Sequence, residues 1–115
     1  MPNKERPKAD ILQGTLDLMV LQTLESLGAL HGYAIAARLE QVSGGALQLN
    51  MGTLYPALMR LEQRGLIRGT WATTETSRRA RFYALTAAGR RQLGREKQAW
   101  DRMAGIIQTL LRGSA

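Results

Sequence analysis

The chain of 115 residues contains no cysteine and a single histidine, His31. Without cysteine it can form no disulfide, no thiolate zinc site and no cysteine nucleophile. His31 has no second histidine or carboxylate at ligand spacing, so no metal site is predicted. Neither a nucleophile–base pair nor a glycine-rich phosphate loop after a strand is present. We therefore expect neither an enzyme nor a cofactor.

Long apolar runs are also missing. No stretch of about 18 apolar residues could cross a bilayer, and the N-terminus lacks the apolar segment of a signal peptide. The sequence therefore predicts a protein without membrane contact, and we expect it in the cytoplasm.

Acidic residues are scarce between Asn50 and Arg91. This segment holds eight arginines and two glutamates, a net charge of +6 within a chain whose total is +7. A concentrated basic surface is typical of nucleic-acid-binding proteins, whereas an ordinary solvated surface mixes both signs. The preference for arginine favours recognition, because the planar guanidinium pairs with phosphates or guanine edges.

The segment from residue 50 to 68 organises the chain. Leu54, Leu58 and Leu61 recur at i, i+4 and i+7, which places them on one face of a helix. Asn50 is a good N-cap, and Gly65 lies where a left-handed residue would end the helix. Pro56 is expected to distort the early turns. The residue pattern fits an amphipathic core helix or a helix whose small, basic face approaches another surface.

Other elements follow from periodicity and breakers. The sequence predicts a mobile arm over residues 1–8, which hold two prolines and four charges. The predicted helices and strands are a helix over Asp10–Leu27, a second helix over Leu30–Val42, a very short strand at Leu47–Leu49, and strands over Leu66–Thr73 and Arg79–Leu85.

The last two strands form a hairpin that is rich in arginine. Arg78, Arg79 and Arg81 follow a tip of small polar residues. Such a hairpin can simply protect a sheet edge from aggregation. Because it directly follows a basic helix, we favour a wing that lies on a DNA backbone.

A long final helix, N-capped by Thr86, runs to about Arg112. Its apolar residues repeat at seven with two phases, as in a coiled-coil seam, and Glu96 is the polar exception. Such a seam needs another helix, and the C-terminal turns containing Ile106 indicate a second subunit. The residues predicted to hold the dimer are Leu93, Trp100, Met103, Ile107, Leu110 and Leu111.

Four segments in order resemble the PadR family of bacterial transcriptional regulators. They are GTLDLMVLQTL (residues 14–24), HGY (31–33), GTLYPALMRLEQRGLI (52–67) and RFYALTAAGR (81–90). The resemblance covers roughly residues 11–112. The order of elements is that of a winged helix-turn-helix, a mainly α fold with a small β-hairpin. We expect a DNA-binding domain over residues 9–85 and a dimerisation helix over 86–115.

The resemblance implies a homodimeric repressor that binds an inverted repeat in double-stranded DNA. Some members release DNA when a small molecule, such as a phenolic acid or a cationic drug, binds at or near the dimer interface. In some, a tryptophan of the last helix lines that pocket. Trp100 is the matching residue here. It either lines a site for a small aromatic effector or packs in the seam, and we prefer packing in the seam.

The predicted DNA-binding residues belong to three groups. Base-edge or nearby phosphate contacts are expected from the helix that starts after residue 50, with glycine allowing close approach. Phosphate or minor-groove contacts are expected from the hairpin. Two weaker phosphate contacts are expected from the second helix. The residues are Asn50, Gly52, Thr53, Tyr55 and Arg60, then Arg78, Arg79 and Arg81, then Tyr33 and Arg38.

Two questions stay open from sequence. His31 fits either a hydrogen bond at a helix entry or a phosphate contact at a helix N-terminus. The alternative function is a winged-helix module for protein–protein interaction that does not bind DNA. RNA binding is less favoured, because no exposed aromatic stacking platform is evident.

Overall fold

The structure is a computed structural model that describes residues 13–113. The predicted mobile arm and the predicted helical residues 10–12 lie outside this range. The elements in chain order are α1 (Gln13–Leu27), β1 (Leu30–His31), α2 (Gly32–Val42), α3 (Met51–Gln63), β2 (Ile67–Thr73), β3 (Arg79–Leu85) and α4 (Ala87–Leu111). This arrangement of helices with a small sheet is a winged helix-turn-helix with an added C-terminal helix, as predicted.

The sheet is antiparallel with strand order β1-β3-β2. The β2–β3 ladder runs from Ile67 opposite Leu85 to Thr73 opposite Arg79. Two expectations were wrong in detail. Leu30 and His31 form β1 opposite Tyr83 and Phe82 instead of the first turn of α2. Residues 47–49 form no strand, because neither edge of the described sheet pairs with them.

The core lies where α1 meets the other elements. Helix α1 contacts α2, α3, α4 and β3, so it is enclosed on several sides. The predicted leucine stripe of α3, at positions 54, 58 and 61, is fully buried. Burial of each such side chain stabilises the fold by about 2 kcal/mol.

The ends of α3 are those that the sequence predicts. The side-chain oxygen of Asn50 accepts a hydrogen bond from the Thr53 N–H at 2.9 Å. Gly65 has φ of 75°, the left-handed conformation that ends a helix without steric cost in glycine. The helix continues through Pro56, which has no N–H to donate to the carbonyl of Gly52.

The start of α4 is tied to the turn that follows α3. The Thr86 hydroxyl donates to the Gly65 carbonyl at 2.7 Å and accepts from the Gly89 N–H at 3.0 Å. A Cβ on Gly89 would overlap the backbone of Leu66. The α3–β2 turn and the first turn of α4 are therefore packed backbone to backbone.

Candidate nucleic-acid interface

A concave surface, here called the groove, lies between the wing and the N-terminal ends of α2 and α3. The wing comprises β2, β3 and the turn at residues 74–78. The groove has a volume of about 1170 Å³ and is lined by three arginines, three tyrosines, Trp71 and the hydroxyl-rich wing turn. Among its lining residues, all of them in the described range, Glu75 is the one acid. The groove is therefore positively charged.

Three large aromatic side chains line this groove and face solvent. Tyr33 at the start of α2 is 69% exposed, Tyr55 on α3 is 44% exposed and Trp71 on β2 is 55% exposed. Sequence reasoning selected both tyrosines but missed Trp71. The available signal was the strand alternation, since Trp71 lies directly opposite Arg81 and so shares its face of the sheet.

Of the residues predicted at the start of α3, Tyr55 lines the groove, and Asn50, Gly52 and Thr53 are not among its lining residues. Asn50 and Gly52 are exposed, and Thr53 is half-buried. The side-chain oxygen of Asn50 is engaged in the helix cap. The cap leaves the amide NH₂ of Asn50 available as a donor.

Two wing arginines are exposed. Arg78 follows a turn in which its N–H donates to the Thr74 hydroxyl at 3.2 Å and Ser77 has a positive φ of 63°. The guanidinium of Arg79 lies over the ring of Trp71, 5.5 Å from its centroid. This cation–π contact supports a side chain that is exposed to solvent.

Arg81 is placed differently from its neighbours. It lines the groove, but its guanidinium donates to a carboxylate oxygen of Glu62 at the end of α3. This hydrogen bond raises the pKa of Arg81 above its usual value. The same carboxylate oxygen accepts from the Gly69 N–H at 3.3 Å. Burial raises the pKa of nearby Tyr83 above its usual 10.0.

Arg60 does not line the groove. Its guanidinium donates to the carboxylate of Asp17 on α1 at 3.0 Å, and Asp17 is only 6% exposed. Asp17 is enclosed because four elements pack around α1. Arg60, which we expected to contact a base or a nearby phosphate, is thus engaged in an ion pair within the chain.

The two predicted contacts on α2 lie apart from each other. Tyr33 is at the groove, next to His31, whose Nδ1 accepts from the Ala34 N–H at 3.3 Å. His31 therefore makes the helix-entry hydrogen bond that was one of its two interpretations. Arg38 instead donates to Gln41 at 3.0 Å and lines a separate cavity beside Trp100.

That second space, here called the helix cavity, lies between α1, α2 and α4 and has a volume of about 620 Å³. Its walls are mainly apolar, with Lys97, Asp101 and Arg38 among its polar residues. Trp100 forms part of the α4 side.

The seam residues predicted on α4 divide into two groups. Leu93 is 3% exposed and belongs to the core of the single chain, so it has no surface to offer a partner. The structure therefore corrects the prediction that Leu93 helps to hold the dimer, because this residue is buried within its own chain. The other members are exposed, and Leu110 and Leu111 are exposed at 72% and 81%.

No helix within residues 13–113 is long and apolar enough to cross a bilayer. Over the same part of the chain, no three His, Asp or Glu side chains are grouped as metal ligands would be.

The fold and the basic groove define a winged-helix protein of the kind found in transcriptional regulators. Residues 20–95 match the Transcriptional regulator PadR-like family. The chain belongs to this family.

Solved structures show the same architecture. A PadR-like transcriptional regulator from Bacillus cereus is 26% identical, with a TM-score of 0.78, and the match covers 92% of this chain and 100% of that one. A transcriptional regulator from Clostridium thermocellum is 26% identical, with a TM-score of 0.77 and coverage of 88% and 94%. A PadR family regulator from Clostridium difficile is 30% identical, with a TM-score of 0.71 and coverage of 84% and 97%.

A longer relative is also similar. An uncharacterized 37.1 kDa protein in transposon TN4556 of Streptomyces fradiae is 47% identical over 80 residues. The matched part is 70% of this chain and 21% of that protein, so the chain spans about a fifth of its length.

Proposed function

We infer that this transcriptional regulator is a homodimeric repressor that binds an inverted repeat in double-stranded DNA. The observation that carries the proposal is the groove, which Arg78 and Arg79 line together with exposed Tyr33 of α2 and Tyr55 of α3. Arginine and tyrosine donors to phosphate position a protein on a duplex. The N-terminal part of α3 then enters the major groove, and the wing lies on the adjoining backbone.

The contacts divide by the chemistry that each side chain offers. Gly52 has no side chain to hold α3 away from the bases. Thr53 and Tyr55 present hydroxyls, and Asn50 presents its amide NH₂. Arg78, Arg79 and Tyr33 contact phosphates. Arg60, Arg81 and Arg38 are left out of this set, because each is bonded within the chain and Arg38 lies at the helix cavity.

The exposed apolar turns of α4 supply the dimer contact. Two copies paired through these turns place two α3 helices on successive turns of the duplex, about 34 Å apart, and so require an inverted repeat. The alternative role of Trp100 to packing in the seam is to line a site for a small aromatic effector in the helix cavity.

The direct test is selection of bound fragments from random duplex DNA, followed by fluorescence anisotropy with the selected and a scrambled duplex over a range of salt. We expect preferential binding of a selected inverted repeat, with log K falling by about 0.9 per neutralised phosphate for each decade of salt. Protein that ignores duplexes of every composition in dilute buffer would overturn the proposal in favour of a protein-interaction module.

A further inference from the structure

Two of the arginines near α3 are neutralised by carboxylates of the same chain. Arg60, on α3, is paired with Asp17 of α1, and Arg81, on β3, is paired with Glu62 of α3. The two pairs lie on different sides of α3, one toward the helical core and one toward the wing. Helix α3 is thus connected by ion pairs to both neighbours.

The pair toward the core is the more enclosed. The side chain of Asp17 is 8% exposed and that of Arg60 is 32% exposed. Arg60 Nε is buried and, among the described residues, has no hydrogen-bond partner. A carboxylate this buried needs a cationic or hydrogen-bonding partner, because an isolated buried charge is costly. Moving Arg60 out to DNA would leave Asp17 without that partner.

The pair toward the wing joins three elements at one carboxylate. Glu62, at the end of α3, accepts from the Gly69 N–H on β2 and from the guanidinium of Arg81 on β3. Arg81 lies across Gly69 so closely that a Cβ at position 69 would overlap the guanidinium. A glycine in β2 is therefore required for this arrangement, and the base of the wing is bonded directly to α3.

We propose that the Asp17–Arg60 and Glu62–Arg81 pairs hold α3 in a set orientation between α1 and the wing, and that these four residues are positioning residues for DNA recognition. This inference rests on the proposed function. Base readout requires α3 to enter the major groove while the wing lies on the adjoining backbone, so loosening either pair weakens discrimination between sequences. Each pair has no net charge, so neither pair adds to the release of counterions from DNA or to the salt slope.

This role is distinguishable from direct phosphate contact. Loss of a phosphate contact weakens binding to all sequences and lowers the salt slope by about one. Loss of a positioning pair lowers the ratio of operator to scrambled affinity and does not lower the slope. In Glu62→Gln the slope becomes steeper, because Arg81 is no longer neutralised.

The experiment measures binding of the selected operator and a scrambled duplex over a range of salt for Asp17→Asn, Glu62→Gln and Gly69→Ala. The last variant displaces Arg81 without changing any charge. We expect the affinity ratio to fall about tenfold in each, the effect of losing one charge-assisted hydrogen bond. Glu40→Gln, which removes an exposed carboxylate from α2, is the control and retains the wild-type ratio.

An unchanged ratio in Glu62→Gln and Gly69→Ala, whose pair is half-exposed, overturns the proposal even if Asp17→Asn fails to fold. A fall in affinity for both duplexes with a slope lower by about one in Arg60→Gln also overturns it, since Arg60 would then contact phosphate. Hydrogen exchange distinguishes failure of the positioning role from failure of DNA binding, because it is measured without DNA. Without DNA, Glu62→Ala, which removes the oxygen that accepts from the Gly69 N–H, must expose that amide to faster exchange, and unchanged exchange contradicts the proposed link between α3 and the base of the wing.

Discussion

The groove and the C-terminal turns of α4 are both left open by the single chain, but their chemistry is opposite. The groove combines arginine, aromatic rings and hydroxyls, with Glu75 as its one acid among the described residues. From Met103 to Leu111 the sequence of α4 carries no charge. A cationic, hydrogen-bonding surface suits a polyanion. The charge-free turns over residues 103–111, here called the apolar ridge, suit another apolar surface. The two surfaces therefore call for two different partners.

The two halves of α4 extend this comparison. In the first half, Leu93 belongs to the buried core of the single chain. In the second half, Ile107 and Leu110 continue the same heptad phases but remain exposed. The apolar seam extends beyond the part of α4 that packs on its own chain. We therefore assign the second half of α4 to contact with a second copy.

The largest expected effect comes from placing a charge in the apolar ridge. Leu110→Glu should give monomers, because an unpaired carboxylate in the seam costs about 3 kcal/mol or more, or over a hundredfold in the dimer dissociation constant. Light scattering at fixed concentration measures the change. Gln108→Glu adds the same charge to an exposed position outside the seam and should remain dimeric. If both variants remain dimeric, the apolar ridge does not form the dimer interface.

A smaller effect is expected from the groove. Arg79→Ala should reduce the salt slope by about one and lower affinity roughly eightfold at 0.1 M salt, for operator and scrambled duplex alike. Anisotropy titrations at several salt concentrations measure both quantities. Arg91→Ala removes an exposed arginine that does not line the groove, and its slope should match wild type. Equal slopes for both variants would argue against phosphate contact by Arg79.

The smallest effect concerns Trp100, where the apolar ridge meets the helix cavity. In a Trp71→Phe background, Trp100 is the remaining tryptophan of the two in the chain. We expect acrylamide to quench its emission less in the dimer than in the Leu110→Glu monomer, because the partner covers it. Equal quenching in both would place Trp100 outside the interface. Quenching by planar aromatic compounds would instead support the effector interpretation.

Much of the fold was predictable because its signals are local. The leucine stripe and both ends of α3, the hairpin and the start of α4 at Thr86 follow from periodicity and capping within a few residues. Strand β1 was not predictable in the same way. Leu30 and His31 form a strand only because β3, about 50 residues later, lies alongside them.

The candidate site was predictable at the level of composition but not of individual side chains. The count of arginines indicated a basic surface, and the structure shows that surface. Trp71 was overlooked because alternation places it on the face of Arg81 only when the register of the hairpin is known. Arg60 and Arg81 looked as free as Arg79 because nothing near them in sequence marks their partners.

The sequence by itself determined the elements, their order and the segregation of positive from apolar residues, since helix and strand periods and charge counts are local properties. Only the tertiary structure decided which arginines face solvent. The carboxylates that bind Arg60 and Arg81 are 43 and 19 residues away along the chain. Packing brings each pair together, and a buried or shared carboxylate then neutralises the guanidinium within the chain.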